Sequence, residues 1–295
     1  MGGDPYDIVE KNAPKGPRRW IGVLVLAALV TVPVASLLAG REPGAVPRFQ
    51  VPEPTRTAAT EREVPNLLRP EPRYRDGRDV LDVVFPDGSA AEIGYPAELA
   101  LADLGVRPVT TGWLEGAPGS HRRLTTPEGG PAGASRGRPM IRKLAGKVTL
   151  WHPMSPAEGE ALLFAFDPWF VALRDLKEGL TFEQRMLWAR SLRAKVTEGG
   201  YLVLTARPPL RLAVPGQAVD GDQAGPQLWF GGARQTLLVL APVPGCDVAA
   251  IELSVIEQRH RFSAEACMDG VYVAASGERG NVERTIAGLT VRRTA

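Results

Sequence analysis

The chain begins polar, turns wholly apolar, turns polar again with many prolines, and then alternates between short apolar and polar stretches to its end. The apolar run, Trp20 to Ala39, spans twenty residues without a charge. At about 1.5 Å per residue a helix of that length covers about 30 Å, the thickness of a bilayer's hydrocarbon core. The run therefore predicts a transmembrane helix over 20–39, with 1–19 as a short tail. Lipid offers no partner to free backbone polar groups, so a helix is required there, and Pro33 is tolerated within it. Trp20 stands at the boundary, where an amphipathic ring is favoured. A cleaved signal peptide is the competing reading, because Ala35, Ser36 and Ala39 are small enough to flank a cleavage site. The length of the run and the polar tail before it favour an uncleaved anchor.

From 40 to 78 the pattern of core-forming residues lapses. Seven prolines fall between Pro43 and Pro72, among Glu, Arg and Thr. Proline fixes φ and lacks an N–H, so this stretch predicts an extended linker, rising about 3.1 Å per residue in polyproline geometry. A stalk that holds a domain off the membrane and a tolerated disordered connector are equally compatible with it.

Beyond 79 the pattern predicts a globular domain over 79–295. Val80 to Phe85 and Ala90 to Tyr95 flank the turn sequence Pro86-Asp87-Gly88-Ser89 and read as a hairpin. A short helical stretch, Ala97 to Leu104, ends at Gly105. Strands are expected at 147–151, 161–166 and 169–173. Thr181 and Gln184 make a capping box for a helix with Phe182, Met186, Ala189, Leu192 and Val196 on one face, stopped by Gly199-Gly200. Further strands are expected at 201–206, 210–214, 228–230, 236–240, 248–256, 271–275 and 290–293, with a helix at 281–289. Strands outnumber helices and most connections are too short for parallel crossovers. The expected fold is α+β with a mainly antiparallel sheet and a few helices. Phe164–Leu204 and Gly270–Val291 both read strand, helix, strand, a faint internal echo.

Composition adds exclusions. With 44% apolar and 23% charged residues and a net charge of +2, the chain is neither wholly disordered nor a polytopic membrane protein. Lys11, Lys15, Arg18 and Arg19 precede the apolar run and Arg41, Arg48 and Arg56 follow it at growing distance. The positive-inside rule then sets the N-terminus in the cytoplasm and the large domain outside. Arg outnumbers Lys 29 to 6 alongside abundant Ala, Gly and Pro, a composition of bacterial, GC-rich type.

Candidate chemistry is sparse. Cys246 and Cys267 are the two cysteines, and in an exported domain they predict one disulfide. The histidines, His121, His152 and His260, lack the spacing of a helical zinc site. No nucleophile elbow, phosphate loop or dinucleotide fingerprint is present, so no catalytic residue, metal site or cofactor is assigned. The distinctive charge feature is the stretch 116–147, rich in Gly, Pro, Ser and Thr and read as a flexible loop. It carries Arg122, Arg123, Arg136, Arg138, Arg142, Lys143 and Lys147 against a single acid, Glu128. These residues are candidates for an anionic ligand, since guanidinium groups suit phosphate and carboxylate. The expected partners are the membrane, through the N-terminal helix, and an anionic envelope polymer or a protein. Nucleic acid is not expected outside the cytoplasm. The sequence thus predicts a single-pass, membrane-anchored extracytoplasmic protein, a non-enzymatic accessory or binding module of the cell envelope. An envelope hydrolase or transferase without a sequence-local motif is the alternative.

Overall fold

The structure, a computed structural model, describes residues 66–294 apart from 154, 156–157, 178, 233–235 and 252–261. In chain order its strands are β1 (Arg73–Arg75), β2 (Arg78–Val84), β3 (Ala90–Pro96), β4 (Val106–Leu114), β5 (Arg122–Thr125), β6 (Met140–Lys143), β7 (Val148–Trp151), β8 (Glu158–Phe166), β9 (Trp169–Leu176), β10 (Leu192–Val196), β11 (Leu202–Ala206), β12 (Leu210–Leu212), β13 (Ala218–Val219), β14 (Asp222–Gln223), β15 (Gln227–Gly231), β16 (Leu237–Pro242), β17 (Phe262–Met268), β18 (Val271–Gly277) and β19 (Thr290–Thr294). Among the described residues three α-helices lie between them: α1 (Gly130–Ser135), α2 (Phe182–Ser191) and α3 (Arg279–Gly288). The predicted helical stretch after β3 is a pair of 3₁₀ turns, Ala97–Leu99 and Leu101–Leu104.

One large antiparallel sheet organises the domain. It has eleven strands in the order β17-β18-β16-β15-β4-β5-β9-β8-β7-β6, with β12 beside the far end of β4. A four-stranded sheet, β1-β2-β3-β19, and the hairpin β10-β11 are separate from it. The fold is therefore α+β and mainly antiparallel, as the pattern predicts.

Successive side chains of a strand point to opposite faces, so each strand of the large sheet contributes to two layers. One face is the core. Leu228, Phe230, Leu238, Leu240, Val271 and Val273 pack on Leu81, Val83, Ile93 and Tyr95 of the small sheet and on Val282 of α3. Further along, Leu124, Leu162, Phe164, Val171 and Leu173 pack on Trp188 of α2 and on Leu192, Leu202 and Leu204 of the β10-β11 hairpin. Burying each such side chain stabilises the fold by about 1.5–3 kcal/mol, so these clusters dominate its energetics. The opposite face is covered in patches. Val239, Ala241, Tyr272 and Ala274 lie buried at one end, and Ala134 of α1 packs on Leu163 and Ala172 at the other. Between the patches lies the site described below.

Several expectations are revised. The stretch 116–147 is not one loop but contains β5, α1 and β6. Residues 66–78, assigned to the linker, belong to the fold. Leu68 bridges Val106, β1 pairs with β2, and Asn66 is buried. Helix α2 begins at the capping box as expected, with Thr181 Oγ1 accepting from Gln184 N and Gln184 Oε1 accepting from Thr181 N. It ends at Ser191, however, and Leu192 to Val196 form β10. The buried face of α2 is carried by Trp188, Ala189 and Ser191, while Phe182 is 44% exposed. A four-residue spacing continued into a strand and so mimicked a longer helix. At 248–256, Val248–Ala250 form a 3₁₀ turn, and the remainder after Ile251 lies outside the described residues. The predicted transmembrane helix at 20–39 also lies outside them. Among the described residues no helix is long and apolar enough to cross a membrane. Cys246 and Cys267 form a disulfide, with Cα atoms 5.8 Å apart.

Candidate anion-binding site

The face of the large sheet away from the core carries Arg107 and Val109 on β4, Arg123 and Thr125 on β5, Arg174 on β9 and Trp229 on β15. Strand register brings these positions together. Trp229 pairs with Arg107, Val109 with Thr125, and Leu124 with Leu173, which sets Arg123 beside Arg174. With Thr126, Pro127 and Glu128 from the turn after β5, and with Gly133 and Arg136 from α1 and its C-cap, they line a cavity of about 530 Å³. Four arginines and one carboxylate thus face one space.

The surrounding contacts fix this wall. Trp229 Nε1 donates to Gln227 Oε1 at 2.7 Å, and Gln227 Nε2 donates to the Gln223 carbonyl at 2.7 Å, which holds the indole in one orientation. The turn at Pro127 is tied down by Asn66, whose Nδ2 donates to the carbonyls of Pro127 and Phe170 at 2.8 Å while its Oδ1 accepts from Phe170 N at 2.8 Å. Arg136 caps α1 in the left-handed conformation, φ 47°, with its N–H on the Ala132 carbonyl at 2.8 Å. That region is unfavourable for a residue with a Cβ.

Charge is unevenly compensated. Arg107, 14% exposed, donates from Nη2 to the Gly231 carbonyl at 2.7 Å and pairs with Glu128 at 3.2 Å. Its Nε is buried without a hydrogen-bond partner. Desolvation lowers the Arg107 pKa, and Glu128 works against that shift. Arg174 is lowered too, first by desolvation and then by the nearby positive charge of Arg136, while Glu158, 3.7 Å away, opposes this. Arg123 pairs with Asp222 of the β13-β14 hairpin. Arg136 is exposed and makes no ion pair among the described residues. Arginine remains protonated through such shifts.

The sequence-predicted residues separate in space. Arg123 and Arg136 reach the cavity. Arg122, next to Arg123 on β5, points to the opposite face and is buried at 4% exposure. There its Nε donates to Asp175 Oδ1 at 2.7 Å. Asp175, fully buried, also accepts from Leu176 N at 2.9 Å, from Leu180 N at 2.7 Å and from Arg185 at 3.3 Å. Arg122 is thus a structural ion-pair residue. Arg138 and Lys143 are exposed and are not among the residues that line the cavity. Arg142 lies over the Phe182 ring at 4.6 Å. Lys147 lines a second cavity, of about 420 Å³, with Arg190 and Arg193 and the largely apolar residues around Val148 and Phe164.

Arg107 and Arg174 escape a reading that looks for charge clusters along the chain, since they stand apart from 116–147. The available signal is an arginine set into an otherwise apolar alternation, as in Val106-Arg107-Pro108-Val109 and Ala172-Leu173-Arg174. Elsewhere, His121 packs against Trp113, with ring centroids 5.3 Å apart. Among the described residues no group of His, Cys, Asp and Glu is arranged to hold a metal ion. Comparison of the chain with protein-family models, with curated proteins and with solved structures returns no match.

Proposed function

We propose that the chain is a single-pass, membrane-anchored extracytoplasmic protein whose globular domain is a non-enzymatic binding module for an anionic component of the bacterial cell envelope. The observation that carries this reading is the cavity on the outer face of the large sheet, where Arg107, Arg123, Arg136 and Arg174 converge. Guanidinium groups offer fixed forks of donors to carboxylate or phosphate and do not exchange protons at neutral pH, so they suit binding better than acid–base chemistry. The one lining carboxylate, Glu128, is 61% exposed and engaged with Arg107. The uncharged run at 20–39, the basic residues before it and the Cys246–Cys267 disulfide, a bond that persists in oxidising compartments, support the placement outside the membrane.

The test uses the full-length chain in detergent micelles, applied to beads carrying polygalacturonate, polyphosphate or neutral dextran. Retention on either acidic polymer but not on dextran is expected, weakened by salt and by the double variant Arg123→Glu, Arg136→Glu. Retention that ignores polymer charge, or that survives the double variant, would overturn the reading. For placement, a C-terminal reporter active only outside the cytoplasm is expected to be active in cells, and an inactive reporter would reject the extracytoplasmic assignment.

A further inference from the structure

We propose that the arginine cavity takes an acidic sugar: a pyranose ring lying on the Trp229 indole, with its carboxylate or phosphate on the Arg107 guanidinium in the place that Glu128 fills. The inference rests on the reading given above and names the chemistry of the ligand.

The register supplies the first argument. Trp229 and Arg107 are direct partners across β15 and β4, and side chains so paired start about 4.5–5.5 Å apart at Cβ. An oxyanion on the guanidinium therefore sets the group attached to it above the indole, provided the acid and the ring are joined closely. An acid carried directly on a six-membered ring meets that spacing. The indole is preset by its Gln227 bond, as a stacking platform needs. The residue is half-buried and lines the cavity, and an indole ring suits the C–H face of a sugar.

The arrangement at Arg107 supplies the second. Glu128 offers it a single contact at 3.2 Å from a largely exposed side chain, a pair of the kind that contributes about 0–1 kcal/mol. The buried Arg107 Nε is left without a partner. A ligand oxyanion has two or three oxygens and no tether to the turn, so it can take the Nη2 contact that Glu128 makes and still offer an oxygen to a second guanidinium. The Glu128 side chain is 61% exposed, so water can solvate it when it leaves Arg107. Its Oε1 approaches Gly232, where a Cβ would lie only 2.5 Å away. Arg136, exposed at the C-cap of α1, lines the same cavity and is the second guanidinium offered to the anion.

Calorimetric titration of the full-length chain with glucuronate, glucose 1-phosphate, inorganic phosphate, glucose and adenosine monophosphate tests this. Glucuronate and glucose 1-phosphate should bind, phosphate more weakly, and glucose not at all; the tighter of the two sugars identifies the acid. Trp229→Ala should weaken the acidic sugars about threefold to tenfold and leave inorganic phosphate unchanged. Glu128→Gln should tighten glucuronate, glucose 1-phosphate and inorganic phosphate about threefold. Arg136→Ala, which removes an exposed side chain and leaves the core intact, should weaken them about tenfold and serves should Trp229→Ala fail to fold. Glucose binding equal to glucuronate, tighter adenosine monophosphate than glucose 1-phosphate, or an unchanged Glu128→Gln affinity would overturn the inference. If no small anion binds while the acidic polymers are retained, this inference fails and the proposed function stands. If neither binds, both fail.

Discussion

Arg136 and Asp175 show how far a charged side chain's role depends on which side of a strand or turn it leaves from. Arg136 occupies a left-handed position, φ 47°, that glycine would adopt without strain. Arg136→Gly should therefore leave thermal stability equal or raise it, by up to about 1 kcal/mol, while calorimetry finds anion affinity reduced. A loss of stability with unchanged affinity would make Arg136 structural instead. Asp175 is the opposite case. It is fully buried and takes Arg122, Arg185 and two backbone N–H groups. Asp175→Ala should lower unfolding stability by about 3–5 kcal/mol in a denaturant titration, since it leaves the buried Arg122 charge uncompensated. Arg122 and Arg123 are adjacent in sequence, yet one holds the core together and the other faces the cavity.

The elements explain the arrangement. Each of α2 and α3 leads the chain out of a hairpin of the large sheet, β8-β9 or β17-β18, and into a strand of a smaller one, β10 or β19. Helix α2 is short and its start is set by the capping box. Thr181→Ala should cost about 1 kcal/mol of stability, measured by chemical denaturation, because one N-terminal N–H loses its acceptor. The capping box was legible in the sequence because it is a local motif. The end of α2 was not, because Leu192 is drawn into pairing with Ala206 across the β10-β11 hairpin, a contact distant in sequence. The short strand β5 was hidden for a like reason. Its four residues, Arg-Arg-Leu-Thr, have little strand character alone and are held by β4 and β9 on either side.

At the scale of the molecule, two stability dependences follow. The Cys246–Cys267 bridge closes 21 residues of chain, and its reduction should lower stability by about 3 kcal/mol, read as a shift of the denaturation midpoint with and without reductant. Alkaline pH should act through two buried tyrosines of the core between the sheets. Burial, reinforced by Asp79 and Asp103 and opposed by the Ala102 N–H, raises Tyr95 from 10.0 to about 12. Burial also raises Tyr201, whose hydroxyl has no hydrogen-bond partner. The unfolded chain loses these protons near pH 10 while the folded one keeps them. Their contribution is whole below pH 10 and is lost as pH rises toward 12. Stability should therefore fall across pH 10–12, and Tyr201→Phe should flatten that fall.

Local chemistry was readable from the sequence alone. The β2-β3 hairpin follows from a turn sequence between alternating strands, the start of α2 from its capping box, and the disulfide from two cysteines with no third. The mainly antiparallel class follows from short connections. Tertiary structure alone decided the cavity. Arg107, Arg123, Arg174 and Trp229 come from four strands far apart in the chain, and they share a face only because register and the two-residue period of a strand set them there. The charge run 116–147 pointed to two of the lining arginines, Arg123 and Arg136, but it also gathered Arg122, which the same period turns into the core. Charge density along a chain ignores which face a side chain takes, and pairing between distant strands sets that face.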